Sequence, residues 1–253
     1  MDILNVLEPL QEDESITGYD YRNYFPYNMS QLGNSDEIRV ACHNSTFAHL
    51  SESCLYLEGS LDSWSPSTLN VTKLAKNFPL FLFSEVRLEL NGQIVDSIRA
   101  PGIVSTMKNY CLLSAEEKSA ATEYFWGDSV NEIAKAMPKF SCCVPLKTIL
   151  GLCRDYQKII VFSKLELVLV RSRNDLDCFV DATEAAKVSI TLSKVAWKIP
   201  HVNLADLLKL RMSKILESGR ELALRFRGTE YFENPNIGTA KQLTVAEPNK
   251  WLK

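Results

Sequence analysis

The stretch Phe81-Leu82-Phe83-Ser84-Glu85-Val86-Arg87-Leu88-Glu89-Leu90-Asn91-Gly92-Gln93-Ile94-Val95-Asp96-Ser97-Ile98 decides the fold. Leu82, Ser84, Val86, Leu88 and Leu90 alternate with Phe83, Glu85, Arg87 and Glu89, the period of a strand with one wet face. Asn91-Gly92 comes next, the pair a type I′ hairpin favours because both central residues take positive φ. The returning strand sets Ile94, Asp96 and Ile98 against Gln93 and Val95. The spacing predicts an antiparallel hairpin.

Outward from it, further strands are expected at Glu37–Cys42, Cys54–Leu61, Phe140–Val144 and Lys158–Arg171. Val188, Ile190 and Leu192 share one parity, and Val195, Trp197 and Ile199 the other. A single strand cannot change faces, so a bulge is predicted near Ser193-Lys194. Pro200 is read as the end of that strand, and Pro101-Gly102 as the end of the hairpin. Ser114-Ala115-Glu116-Glu117 has the form of a capping box, predicting a helix to about Phe125. Asn131–Met137 is read as a short helical turn. Asn203 with Asp206 predicts a second capped helix, with Leu204, Leu207, Leu208, Met212 and Ile215 as its apolar stripe and Gly219 as its cap. Glu221–Phe226 is read as one more strand. Long strands without βαβ alternation imply a mainly β fold, an antiparallel sandwich with inserted helices.

At 253 residues the chain is long enough to bury a large core. Its net charge of -3 gives no overall attraction to nucleic acid or an anionic membrane. The N-terminus has neither the basic nor the apolar region of a signal peptide, so an intracellular protein is expected, in cytoplasm or nucleus. Seven cysteines at irregular spacing, with no CxxC, argue against a disulfide framework or a zinc site. The vicinal pair Cys142-Cys143 would point to opposite faces of a strand, one of them into the core.

The three histidines, His43, His49 and His201, stand far from any metal-ligand spacing. His43 and His49 are read as loop residues around an Asn-Ser-Thr turn, and His201 as a loop or cap residue. The nucleotide-binding, hydrolase, zinc-protease and calcium-loop signatures are missing from the sequence. An enzyme is not expected, and no cofactor or metal is implied. A basic cluster at Lys209, Arg211, Lys214, Arg220, Arg225 and Arg227 is diluted by Glu217, Glu221 and Glu230, so contact with nucleic acid would be indirect at most.

Two groups are the candidate assembly contacts. Tyr19, Tyr21, Tyr24, Phe25 and Tyr27 crowd an irregular N-terminal arm that needs a surface to lie on, its own domain or a neighbour's. Glu85, Arg87 and Glu89 form a charged strand face, either solvated or a subunit contact.

Several stretches resemble the double jelly-roll-like family of insect and other animal genomes. They are Met1–Leu7, Asn34–Arg39, Phe81–Gly92, Pro101–Lys108, Cys143–Gly151 and Tyr156–Ile160. That family is similar to the major capsid proteins of double jelly-roll DNA viruses and related mobile elements. The resemblance implies a jelly roll and a self-assembling capsid or capsid-like protein: a homo-oligomer, with shells built of trimers and other capsid proteins as further partners, and a virion as its location if the gene is viral. It divides the chain into an extended arm at 1–35, a first jelly roll at 36–202, a linking helix and the start of a truncated second roll at 203–233, and a tail at 234–253. Either this is a shortened member or it supplies one roll of a larger assembly. The alternative reading is a host-adopted jelly roll that recognises a protein or glycan without forming shells.

Overall fold

The structure is a computed structural model, and it describes residues 15–62, 73–126, 139–180, 189–219 and 222–232. The helical turn expected at Asn131–Met137 and the tail at 234–253 lie outside the described residues. The strands are β1 (Ile16–Tyr24), β2 (Glu37–Ala48), β3 (Cys54–Asp62), β4 (Lys73–Leu74), β5 (Phe83–Leu90), β6 (Gln93–Arg99), β7 (Lys139–Pro145), β8 (Ile160–Arg171), β9 (Phe179–Val180) and β10 (Ser189–Leu204). The helices are α1 (Phe78–Phe81), α2 (Pro101–Leu112), α3 (Ala115–Ala120), α4 (Gly151–Asp155) and α5 (Asp206–Glu217).

The main ladder runs β6-β5-β8-β2-β10-β3-β7, with β1 added on β10, and every pairing is antiparallel. Its centre is thin, because β10 meets β2 at the single pair His201↔Ala48. The ladder is therefore two four-stranded halves, β6-β5-β8-β2 and β1-β10-β3-β7, joined at a corner. Val86, Leu88, Leu167, Leu169, Ile38 and Val40 from the first half share one buried cluster with Leu55, Leu57, Val144, Val195 and Trp197 from the second. This is the predicted antiparallel sandwich.

The hairpin forms as the sequence requires. Asn91 (φ 52°) and Gly92 (φ 81°) both sit in the left-handed region, and Leu90 faces Gln93. One detail differs. The register slips between Leu88↔Asp96 and Glu89↔Ile94, so Val95 is extra and Ile94 turns out to solvent while Asp96 and Ile98 turn in. The bulge expected near Ser193 is present, since β10 steps from Leu192↔Gly59 to Lys194↔Glu58. That extra residue lets Ile190 and Leu192, then Val195, Trp197 and Ile199, all face the core.

Four expectations are corrected. Pro200 does not end β10, which continues to Leu204. Its carbonyl accepts from His49 N–H, so its missing donor faces the same way, past the last β3 pair and away from β1. Pro101 starts a helix rather than merely closing a hairpin. It stands in the first turn of α2, where a proline loses no hydrogen bond. Asn203 does not cap α5; its amide donates to Asp20 instead. Residues 222–226 form no paired strand. They begin an extended segment whose Leu224, Phe226 and Tyr231 pack on the core. That segment presses on α4 so closely that a Cβ on Gly151 would lie 1.9 Å from the Arg227 carbonyl oxygen, which excludes other residues there. Asp155 at the end of α4 holds Arg227 by its backbone N–H and guanidinium. The Ser114–Glu117 capping box is present in both directions, and the helix it starts tightens at Ala121–Tyr124 and stops at Phe125.

Part of the 1–35 segment is regular. β1 pairs with β10 from Ile16↔Leu204 to Tyr24↔Trp197. His201 lies inside β10 rather than at a strand end, and it is buried. The Tyr24 hydroxyl meets its Nε2 at 2.9 Å, while its Nδ1 has no hydrogen-bond partner. Burial and then the Arg22 charge hold the imidazole below its ordinary value, with Asp20 opposing.

Opposite this corner, Arg171 and Asp175 form an ion pair at 3.1 Å with side chains 1% and 2% exposed. Arg171 donates to the carbonyls of Leu82 and Ile190, and Asp175 accepts from Ile190 N–H. The pair therefore ties the start of β5, the end of β8 and the start of β10. Removing one charge strands the other in the core, so Arg171→Met should cost about 3–5 kcal/mol in urea denaturation, with Arg171→Met/Asp175→Leu recovering part of it. A single-variant loss under about 0.5 kcal/mol, the scale of a surface change, would contradict this role.

The His201 proton gives a second expectation. Its folded value lies below its unfolded value of 6.5, so its contribution to stability is complete above 6.5 and is lost as the pH falls from there through the folded value. Thermal denaturation across that window should show stability falling. His201→Gln, which can still meet Tyr24 and does not titrate, should flatten the slope; an unchanged slope would assign it to other groups.

Candidate functional site

The aromatic arm residues are split between holding and exposure. Tyr24 is inward, packed on the core and bound to His201. Tyr19 reaches His49 Nδ1 at 2.9 Å, and Tyr27 reaches His43 Nε2 at 3.1 Å. So each of the three histidines takes one tyrosine from residues 19–27. His43 is not in a turn: β2 runs through it, slipping register between Cys42 and Ser45. Tyr21, Phe25 and Tyr27 keep large exposed faces, Tyr21 at 58%. The outer edge of β1 has no strand partner among the described residues.

Glu85, Arg87 and Glu89 lie in a network within the chain. β8 sits between β5 and β2, and the register aligns Arg87, Val168 and Arg39 in one row and Glu85, Val170 and Glu37 in the next. Arg87 meets Glu37 at 2.9 Å, and Arg39 meets Glu37 at 2.6 Å and Glu166 at 3.2 Å. Glu85 and Glu89 sit further off, each at 3.9 Å from an arginine. Burial opposes the Glu37 charge, but the two arginines outweigh it and hold its carboxyl below the ordinary value. Val168 is sealed beneath these side chains. The arrangement covers a strand; such partly exposed pairs add little stability each.

The apolar stripe of α5 is the larger surprise. The sequence periodicity was that of a buried face, yet no residue of this 12-residue helix is buried, and Leu207 and Leu210 are each 63% exposed. Leu208 and Met212 pack against a small cluster of Phe47, Val202 and Leu204. Of the basic cluster, Lys209 pairs with Asp206 and Arg227 with Asp155, and Arg220 lies outside the described residues. Leu210 was not singled out in the sequence, because burial of the stripe depends on what packs there and not on its period.

A cleft of about 700 Å³ is lined by Phe83, Ala100, Ser172, Arg173, Asp177 and Tyr231, among others. No group of three or more His, Cys, Asp or Glu among the described residues is placed to hold a metal ion. No described helix is long and apolar enough to cross a membrane. Cys142 is buried and Cys143 faces outward, as the strand period requires.

The fold has known counterparts. The structure is similar to the Faustovirus major capsid protein, with a TM-score of 0.56 at 9% identity over 83% of this chain and 58% of that one. It is also similar to PBCV-1 VP54, solved as a crystal structure and fitted into a reconstruction of the virophage Sputnik. There the TM-score is 0.52 at 10% identity, over 82% of this chain and 47% of that one. The chain thus spans roughly half the length of these capsid chains, and at such identity the likeness is one of fold. A search of curated proteins found no match to the sequence. Residues 72–247 match the model of the double jelly roll-like domain, and the chain belongs to that family.

Proposed function

We propose that this protein is a structural subunit that assembles with copies of itself into a capsid-like shell. The observation that carries the reading is α5: a helix with an apolar stripe and no buried residue, in a chain whose fold is that of capsid proteins. An uncovered stripe of this kind is costly to leave in water, and a shell would cover it. The edge of β1 that has no strand partner among the described residues, with Tyr19 and Tyr21 on it and Phe25 and Tyr27 beyond, is the second contact surface. Tyr24 contributes by holding the arm in place, and Glu85, Arg87 and Glu89 form a rim whose charges set register rather than affinity. A closed symmetric assembly, with trimers as the building unit, follows the same reading. The subunit's place is the particle itself, or the cell interior where a host carries the gene, with nucleic acid met only as enclosed cargo. Catalysis forms no part of this reading.

Size-exclusion chromatography with light scattering, and electron microscopy of the full chain, test it. Discrete oligomers or shells are expected. Leu207→Lys/Leu210→Lys should abolish them with an unchanged circular dichroism spectrum, because neither side chain supports the fold. Tyr21→Glu should weaken them. A strict monomer at high concentration across salt and pH would sink the proposal and leave the family's fold as a non-assembling binding module.

A further inference from the structure

The outer face of the β1-β10-β3-β7 half carries an arrangement that shell formation does not use. The register pairs Cys54 with Pro145 and Tyr56 with Cys143, so Cys54 and Cys143 are diagonal neighbours on adjacent antiparallel strands. Paired residues share a face, which puts both thiols on the same side of the sheet. Both are half-buried, within reach of a small reagent. Lys198 faces Cys54 from β10, its ammonium 4.2 Å over the Tyr56 ring.

We propose that Cys54 and Cys143 are a redox-active dithiol that closes to a disulfide and staples the edge strand β7 to β3. The roles follow from the surroundings. The Cys54 hydrogen bond, and then the Lys198 charge, hold the Cys143 thiol below its ordinary value, against the pull of burial. The same hydrogen bond, and then burial, push Cys54 up. Cys143 is the attacking thiolate and Cys54 the resolving thiol. The other five cysteines lack this setting: Cys42, Cys142, Cys153 and Cys178 are buried, and burial raises each of them. Cys111 is exposed on α2.

The oxidant is a low-molecular-weight disulfide such as oxidised glutathione. The Cys143 thiolate attacks one of its sulfurs; a protein–glutathione bond forms, the glutathione S–S bond breaks, and the departing thiolate takes a proton from water. Cys54 then gives its proton to water and attacks the Cys143 sulfur. The protein disulfide forms and a second glutathione thiol leaves. Two protein thiols lose two electrons, and one small disulfide gains them. Diagonal neighbours start further apart than an unstrained disulfide holds its carbons, so closure draws the strands together and the bond is readily reduced again. The staple is reversible.

The test uses the full chain carrying Cys111→Ser, reduced and then incubated with oxidised glutathione. Free thiols are counted by maleimide labelling after denaturation, and peptides are mapped by mass spectrometry. The expected result is the loss of two thiols, one linked peptide pair containing Cys54 and Cys143, and reversal by dithiothreitol. Cys54→Ser should stop at a glutathione adduct on Cys143, and Cys143→Ser should leave Cys54 free. An undiminished thiol count, a linkage between other cysteines, or glutathione retained on Cys143 with Cys54 still free would each overturn the proposal.

Discussion

The fold depends on one strand serving two sheets. β10 is paired with β3 along its first part and with β1 along its last, and it touches β2 once, at His201, past the last β3 pair. Its apolar residues change parity between Leu192 and Val195. The extra residue at Ser193 restores the parity, and the change of partner at Lys198–His201 is where Pro200 is tolerated. Trp197, fully buried, stands at that change with Leu55 on one side and Tyr24 on the other. The corner thus joins the two halves by hydrogen bonds at one end of the sandwich. The Arg171–Asp175 pair joins them by charge-assisted bonds at the other.

That architecture sets which surfaces are free. The outer face of β8 lies beneath the Arg39, Arg87, Glu37 and Glu166 network, and the free side of α4 beneath the segment led by Leu224 and Phe226. At the β10 corner, the edge of β1, the aromatic faces of the arm and α5, which starts directly after β10 ends, are exposed. These are neighbours in space, since β1 is hydrogen-bonded to the last residues before the helix and the Ser15 carbonyl accepts from Ala205 N–H. A contact surface here would transmit its load into the strand that holds both sheets together.

The strands were legible in the sequence wherever one face is wet, because alternation then survives. The hairpin at Asn91-Gly92 and the bulge near Ser193 could both be read from parity alone. Expectations failed where a local signal has two meanings. Proline is both a strand breaker and a good first residue of a helix, so Pro101 was read as an end when it is a beginning. Asn203 had a capping spacing, but tertiary contact with Asp20 took its amide. The candidate site was less legible still. The periodicity of Leu207, Leu208 and Met212 shows a face, not its partner. The Tyr24–His201 pairing needs the register of β1 on β10, and the Tyr27–His43 pairing the lie of Pro26 and Tyr27 against β2, neither of which any spacing reveals. The same is true of Cys54 and Cys143, 89 positions apart in the chain and neighbours only through the β3–β7 register.

The histidines of the chain hold the arm in place. Its three histidines, the residues best suited to proton transfer near neutral pH, each meet a tyrosine of the arm, and one of them is buried as well. Lys198 and Lys194 lie over the Tyr56 ring, with Phe25 6.0 Å from Lys194, so the cations of the outer face hold aromatic rings. Such contacts fix where the arm lies without closing off its outward ring faces. An arm fixed in this way presents Tyr21 and Tyr27 in one orientation, and a neighbour that meets them has less disorder to overcome than with a loose tail.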